Sequence, residues 1–259
     1  MSSSSTITAA EAKRLVQVLI VEKKTDFSSD GFRQLIKAAG EQQNRGTLLV
    51  CGKLDFYQDI HVPLGEYYLS NVGTKEAAKI LQLVKLLSSE EKYSYSLATT
   101  GGFIKAAIKY FEKCIEKTAL LPYAEVTHPD FKKDVTLEEQ FYIFNEGVEA
   151  DLLLLHSQIF ANLLANAFTC KWVGRNLLPD LRYAFMVYSA VTRGGQGVSE
   201  EVGKRVLIGL GHLLVNPDVV VLVNKNTYIA NWFFYRLFEV SLHLDADQLS
   251  RLRKHEQVP

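Results

Sequence analysis

The chain has 259 residues, of which 47% are apolar and 22% are charged, a composition typical of a folded globular protein and not of a disordered one. Its 29 basic residues balance 29 acidic ones, which argues against a protein that coats phosphate by overall charge but leaves room for a local basic groove. Three widely spaced cysteines, Cys51, Cys114 and Cys170, predict reduced thiols and a cytoplasmic location, with neither a disulfide framework nor a zinc site.

Neither the N-terminal residues nor the apolar stretches of the chain predict insertion into a membrane. Residues 1–8 begin with a run of serines, lack the charged and apolar regions of a secretory signal, and are interpreted as a mobile tail. The apolar stretches 151–168 and 206–223 are interrupted by histidine, asparagine and other polar residues, so both are predicted to be buried helices.

The first part of the chain predicts two helices and one β element. A capping box at 8–11 begins a helix that runs to about Lys23, and a second helix spans 29–39. Residues 47–51 and 58–69 are predicted strands, which form one short β element in the N-terminal half.

Further helices are predicted over 74–87 and from Gly102 to about Leu121. The aperiodic, proline-containing segment that follows is the best candidate for a linker. We therefore predict a mainly α, two-lobed helical protein, with an N-terminal lobe at 9–125 and a C-terminal lobe at 126–259.

The C-terminal half also predicts helices. The expected features are a capping box at 136–139 with helix to Phe168 and a break near Gly147, a helix that starts at Pro179, another capped by Ser199, and an aromatic helix over 226–244. Residues 219–223 stay ambiguous between strand and helix, because β-branching and context disagree.

No catalytic or metal-binding pattern stands out. None of the six histidines lies in a known local signature, and a satisfied core histidine is the favoured interpretation of His156 and His212. The glycine-rich stretch 193–197 lacks the remaining features of a phosphate-binding loop and is favoured as a turn. The expectation is a protein that is not an enzyme and that uses no cofactor or metal.

Basic residues recur in two places. Lys105 and Lys109 begin a row of lysines spaced four apart, which could follow phosphates, although interleaved glutamates favour an ordinary solvated face. The second group interleaves cations with aromatic rings, as in proteins that hold single-stranded nucleic acid by phosphate contact and base stacking, and it consists of Lys171, Trp172, Arg175, Arg182 and Tyr183. Packing of these rings between helices explains the second group equally well.

The aromatic helix near the C-terminus has little polar surface. Its candidate self-association residues are Trp232, Phe233, Tyr235 and Phe238. A core position is favoured for this helix, and a surface that contacts another subunit is the alternative.

Part of the chain resembles the nucleocapsid proteins of segmented negative-strand RNA viruses, the bunyavirus group. The similarity rests on the predicted β element at 59–69, the segments YSYSL (93–97), GFIKAAIKYF (102–111) and LPYA (121–124), and HPDF (128–131), which looks like a lobe-joining segment. The resemblance implies a two-lobed protein with RNA in a basic cleft, lined by Lys105 and Lys109 on one lobe and by Lys171, Arg175 and Arg182 on the other. It also implies arms exchanged between neighbours, whereas the zero net charge departs from the basic balance usual in that family.

The leading hypothesis is an RNA-binding nucleocapsid-like protein that self-assembles and encapsidates single-stranded RNA as a viral nucleoprotein, located in the cytoplasm. The resemblance implies a location in the virion as well. The alternative is a cytosolic helical adaptor or scaffold that binds protein partners through its aromatic C-terminal helix. An enzyme of unrecognised type is the third hypothesis.

Overall fold

The computed structural model describes residues 6–20, 30–51, 61–72, 75–117, 142–192 and 197–225. Helical residues make up 83% of these, which confirms the prediction of a mainly α protein. Within the described ranges the α-helices are α1 (Ala9–Ile20), α2 (Asp30–Gly40), α3 (Gln42–Cys51), α4 (His61–Ser70), α5 (Lys75–Ser88), α6 (Glu91–Thr99), α7 (Phe103–Cys114), α8 (Ala150–Leu164), α9 (Ala167–Asn176), α10 (Arg182–Thr192), α11 (Glu200–Leu214) and α12 (Pro217–Lys225). A 3₁₀ turn, Leu178–Leu181, precedes α10.

Several helices begin at polar caps. The Thr8 hydroxyl accepts a hydrogen bond from the Glu11 amide at 3.2 Å, and the Ser199 hydroxyl accepts one from the Glu201 amide at 3.2 Å, so both predicted caps are confirmed. Asn166 caps α9 in the same way, because its side-chain oxygen accepts hydrogen bonds from two amides of the first turn.

The strands predicted at 47–51 and 58–69 are wrong where the structure describes them. Residues 47–51 lie in α3 and residues 61–69 lie in α4, while residues 58–60 fall outside the described ranges. Pro63 fits the first turn of α4, where its missing N–H would have no intrahelical partner. Leu64 and Tyr68, four residues apart, are both buried, so they lie on one helical face.

Two three-residue strands lie elsewhere, β1 (Ile115–Lys117) and β2 (Tyr142–Phe144), and they pair antiparallel with Ile115 opposite Phe144. This pair does not correspond to the predicted β element, which is not confirmed. Residues 142–149 were predicted to be helical up to a break near Gly147, and this is wrong, because they form β2 and the turn that follows it. Gly147 lies in that turn with a φ of 80°.

One predicted helix boundary shifts, and one open choice between strand and helix is resolved. The helix that follows Gly102 ends at Cys114, before the predicted end, because the chain continues into β1. The ambiguous valines at 219–223 lie in α12, which begins with Pro217 at a position suited to that residue.

The core forms around α8, which packs against α5 and α7 and also against α11. Phe160 of α8 is fully buried and meets Phe111 of α7 edge to face, with ring centroids 5.4 Å apart. Two asparagines at the end of this helical region bond to other helices: the Asn162 amide donates to the Lys85 carbonyl and Ser88 Oγ, and the Asn166 amide donates to the Glu91 carbonyl.

The predicted lobes share one hydrophobic core. Buried side chains from α1 through α12 belong to a single contiguous cluster, including residues on both sides of the predicted boundary at 125/126. The boundary itself, with the predicted linker and the capping box at 136–139, lies in 118–141, outside the described ranges. The two-lobed arrangement is therefore not confirmed and stays a prediction.

Candidate functional site

Helix α7 has Lys105 and Lys109 on its exposed side, because its opposite side is buried in the core. Both lysines are exposed. The buried residues of the helix are Phe103, Ile104, Ala107, Ile108, Phe111 and Cys114. The amphipathic pattern therefore leaves these two cations facing solvent.

Helix α9 brings Trp172 next to α7. The ammonium nitrogen of Lys105 lies 5.7 Å from the centroid of the half-buried Trp172 ring, within the range of a cation–π contact. Two residues from the two separate basic groups of the sequence thus meet at one surface.

The first residues of α10 lie on the same side of α7. The Arg182 guanidinium carbon lies 4.8 Å from the centroid of the Tyr183 ring, and Arg182 Nη2 donates a hydrogen bond to the Tyr183 hydroxyl at 2.9 Å. A hydrogen bond between the Tyr183 hydroxyl and Glu112 of α7 is the main cause that raises the pKa of this tyrosine. Tyr183 therefore links α10 to the exposed side of α7.

Lys171 is engaged with a carboxylate. Its ammonium nitrogen lies 2.8 Å from Asp218 Oδ2 of α12, and this bond is the main cause that lowers the pKa of Asp218, with a weaker contribution from Arg175. Arg175 itself is exposed on α9. The Lys171 charge is therefore partly offset at the protein surface.

The resulting surface carries mixed charge. We call the set Lys105, Lys109, Lys171, Trp172, Arg175, Arg182 and Tyr183 the basic–aromatic surface. Acidic groups stand beside its cations: Asp218 by Lys171, and Glu112 and Asp180 near Arg182. The surface therefore has a modest excess of positive charge, smaller than the excess of a groove whose cations have no acidic neighbours.

The predicted self-association residues Trp232, Phe233, Tyr235 and Phe238 lie outside the described ranges.

A second feature is a cavity of about 220 Å³ between α4, α5, α7, α8 and the turn after β2. Its lining residues include Tyr68, Tyr110, Cys114, Glu149 and His156. We call it the His156 cavity. No feature of the sequence predicted it, because its residues come from distant parts of the chain.

His156 is buried and half satisfied. Its Nε2 atom lies 2.9 Å from the Tyr68 hydroxyl, and the Tyr110 ring stacks on the imidazole with centroids 4.4 Å apart and planes 20° apart. Its Nδ1 atom has no hydrogen-bond partner within the part of the chain that the structure describes. The interpretation of a satisfied core histidine therefore holds for one ring nitrogen and not for the other.

The side chains of His156, Cys114 and Tyr68 are uncharged at neutral pH. Burial lowers the pKa of His156 to about 3, so the ring is uncharged at neutral pH and is a weak base. Burial also raises the pKa of Cys114 to about 11 and that of Tyr68 to about 12. The thiol is therefore protonated at neutral pH, and it is the thiolate that acts as a nucleophile.

Within the described ranges, no three His, Cys, Asp or Glu side chains come together as a metal site would require.

No single helix in the same ranges has both the length and the apolar composition to cross a membrane. Two bent pairs, α8 with α9 and α11 with α12, meet that criterion only when their helices are counted together, at bends of 107° and 86°.

No protein-family model matches the chain, and no curated protein or solved structure is significantly similar to it. The resemblance to bunyavirus nucleocapsid proteins therefore stays a prediction.

Proposed function

We propose that this protein binds single-stranded RNA through the basic–aromatic surface and self-assembles along it as a nucleoprotein. The observation that carries the proposal is the contact of Lys105 with the Trp172 ring. This contact joins α7 to α9 and places a cation of the first basic group against a partly exposed aromatic ring of the second group.

The chemistry of the surface suits an unpaired strand. Single-stranded nucleic acids offer phosphates to cations and base faces to aromatic rings, and stacking tolerates any base sequence. Trp172 and Tyr183 supply two rings, each with a cation beside it, and Lys109 of α7 and Arg175 of α9 are exposed.

The neighbouring carboxylates predict modest and salt-sensitive binding. Each phosphate contact to a single strand contributes about −0.7 to the slope of log K against log salt concentration. Three to five contacts therefore give a slope of about −2 to −3.5. Overall neutrality is compatible with assembly on RNA because repulsion between neighbouring subunits stays small.

The test is the binding of fluorescent single-stranded RNA across a salt series. The double variant Lys105→Ala/Arg182→Ala removes one exposed cation from each ring. We expect roughly tenfold weaker binding at moderate salt and a slope that is less steep by about 1.4. The matched control is Lys37→Ala/Lys204→Ala, which removes two exposed lysines from α2 and α11, helices that carry none of the proposed RNA contacts.

A second readout follows the aromatic ring directly. The chain has two tryptophans, so a Trp232→Phe background leaves Trp172 as the only source of tryptophan fluorescence. A base stacked on Trp172 should quench that emission in proportion to RNA binding. Protein that purifies free of nucleic acid and ignores RNA at low salt would contradict the proposal, and the adaptor hypothesis would then lead.

A further inference from the structure

Two exposed aromatic side chains outside the basic–aromatic surface contact each other. Phe168 of α9 is 72% exposed, and Tyr95 of α6 is 39% exposed. Their ring centroids are 6.5 Å apart at an interplanar angle of 72°, so the rings meet edge to face and do not stack. A single exposed apolar side chain is common in proteins, but two such rings in contact from different helices form a small apolar patch.

Phe168 lies on the same side of α9 as three members of the basic–aromatic surface. Lys171, Trp172 and Arg175 follow it by three, four and seven residues, a spacing at which side chains share one face of a helix. The opposite face of α9 is buried and consists of Thr169, Cys170, Val173 and Gly174. Phe168 and Trp172 are therefore one helical turn apart, with a rise of about 6 Å along the helix axis.

The start of α9 is anchored by hydrogen bonds. The side-chain oxygen of the buried Asn166 accepts a hydrogen bond from the Phe168 amide at 2.9 Å, and its side-chain nitrogen donates to the Glu91 carbonyl of α6 at 3.0 Å. Tyr95 lies one turn after Glu91 on α6. One side chain thus joins the first turn of α9 to the helix that carries Tyr95. A ring that is positioned in advance loses little conformational freedom when a ligand binds to it.

We propose that Phe168, supported by Tyr95, is a further stacking site for an unpaired base of the RNA bound at the basic–aromatic surface. The inference rests on the proposed function and extends the path of the strand by one turn along α9, from Trp172 to Phe168. Lys171 lies on the same face, but its ammonium nitrogen is 2.8 Å from Asp218 Oδ2. The cation on this part of the face is thus already paired, so the ring supplies the affinity of the additional step.

A base is favoured over a second protein as the partner of this ring. Proteins that hold single strands place aromatic side chains at successive positions along a positively charged path. Phe168 continues the path that begins at Trp172, and the exposed Arg175 lies on the same face of the helix. Contact with a second copy of the chain is the rival explanation, and the oligomeric state of the RNA-free protein tests it.

Substitutions at Phe168 separate stacking from apolar contact. Phe168→Leu keeps an apolar side chain without a ring, and it should bind fluorescent single-stranded RNA about tenfold more weakly. Phe168→Trp keeps a ring and should retain the affinity. The slope of log K against log salt concentration should be unchanged in both variants, because no cation is removed. The matched control is Leu69→Ala, which alters an equally exposed apolar residue of α4 and should leave RNA binding unchanged.

An abasic oligonucleotide of the same length shows which part of the strand meets the ring. It keeps the phosphates and lacks the bases. At low salt, Phe168→Leu should bind this probe as tightly as the unaltered protein does, because no base is present to stack. Lys105→Ala/Arg182→Ala should bind it more weakly than the unaltered protein, because phosphate contacts are lost.

The outcomes distinguish this stacking site from the proposed function. If Lys105→Ala/Arg182→Ala weakens RNA binding and Phe168→Leu does not, the stacking site is refuted and the proposed function stands. If the unaltered protein ignores RNA at low salt, both are refuted. An equal loss of affinity for RNA and for the abasic probe with Phe168→Leu would refute the stacking site. A change in the oligomeric state of RNA-free Phe168→Leu, measured by sedimentation, would assign the ring to a contact between copies and would refute it as well.

Discussion

His156 is buried, and its two ring nitrogens differ in their hydrogen bonding. One nitrogen has a tyrosine partner and the other has none in the described part of the chain, while burial keeps the ring uncharged. Folding therefore excludes the protonated form of a group that would be protonated in the unfolded chain at mildly acidic pH. The stability of the protein must depend on pH for this reason.

We expect His156 to destabilise the fold as pH falls. The pKa of His156 is about 3 in the folded protein, and its ordinary value, which applies to the unfolded chain, is 6.5. Between pH 3 and pH 6.5, His156 is therefore protonated in the unfolded chain and neutral in the folded protein. The stability that depends on a neutral His156 is fully present above pH 6.5 and is lost progressively as the pH falls toward 3. Between pH 7 and pH 5 the free energy of unfolding should fall by about 2 kcal/mol from this group.

Urea unfolding at the two pH values measures this dependence. The Tyr68→Phe/His156→Phe variant supplies the reference, since other titrating groups act equally in both proteins. The pH-dependent loss should be smaller in the variant by about 2 kcal/mol. Identical pH dependence in the two proteins would show that His156 is protonated in the folded state.

At the scale of single residues, the sequence predicted what is local. The caps at Thr8 and Ser199 follow from a hydroxyl and the amides a few residues ahead, and both are present. The approach of Lys105 to Trp172 and the pairing of Tyr68 with His156 depend on tertiary packing, so spacing along the chain contained no signal for either.

Among the helices, α8 and α11 approach closely because a glycine lies at their contact. A Cβ atom at Gly209 would lie 2.7 Å from two ring carbons of Phe160 and 3.3 Å from a methyl carbon of Leu164. Phe160 is fully buried and has a second aromatic neighbour in Phe111, so its ring has little space to move. The absence of a side chain at 209 therefore sets the distance between the two helices.

Two glycines of α11 provide a matched test of this contact. Gly209→Ala should lower the free energy of unfolding by about 1 to 3 kcal/mol, because the added methyl overlaps the Phe160 ring. Gly211→Ala, where no atom lies within 4 Å of the added methyl, should raise it by about 0.5 to 1 kcal/mol through helix propensity. Chemical denaturation of both variants measures the difference, and effects of the same sign would contradict a steric role for Gly209.

Secondary structure was predicted wrongly where β-propensity was given more weight than the helical spacing of apolar residues. The stretch at 61–69 has tyrosines, valine and proline, yet Leu64 and Tyr68 bury the same side of α4. The valines at 219–223 are helical for a similar reason, since Val219 and Val223 are both buried at a spacing of four. Burial in a helical core thus overrides an intrinsic preference worth only a fraction of a kcal/mol per residue.

For the whole molecule, the continuous core predicts a single cooperative unit in the described ranges. Helix α8 lies after the predicted lobe boundary, yet it packs on α5 and α7, which precede that boundary. Separation of the two parts would expose Phe111 and Phe160, so neither part is expected to stay folded alone.

Two buried thiols on opposite sides of the boundary can test this expectation. Cys114 and Cys170 are both buried, and a Cys51→Ser background restricts the labelling signal to these two. Pulsed thiol labelling across a urea series, with mass spectrometry to separate the sites, should give one common midpoint. Two midpoints would show that the regions unfold independently, as two lobes with separate cores would.

The class of the fold could be predicted from the sequence, and the packing of its helices against one another could not. Amphipathic spacing and caps predict a mainly α protein, but they do not predict which helices become neighbours. The overall balance of charges likewise gave no indication that Asp218 would stand against Lys171, or Glu112 near Arg182. Both the core and the candidate site depend on these long-range pairings.

Four successive leucines, Leu152–Leu155, begin α8 with apolar contacts that have no fixed direction. The Asn162 amide, two turns further along, is directional: a slide of the helix along its axis would detach it from Lys85 and Ser88, and two donors of its side chain would lose their acceptors at about 1 to 3 kcal/mol for a buried polar group. Together with the packing of Phe160 against Gly209, this side-chain amide therefore fixes the longitudinal alignment of the central helix.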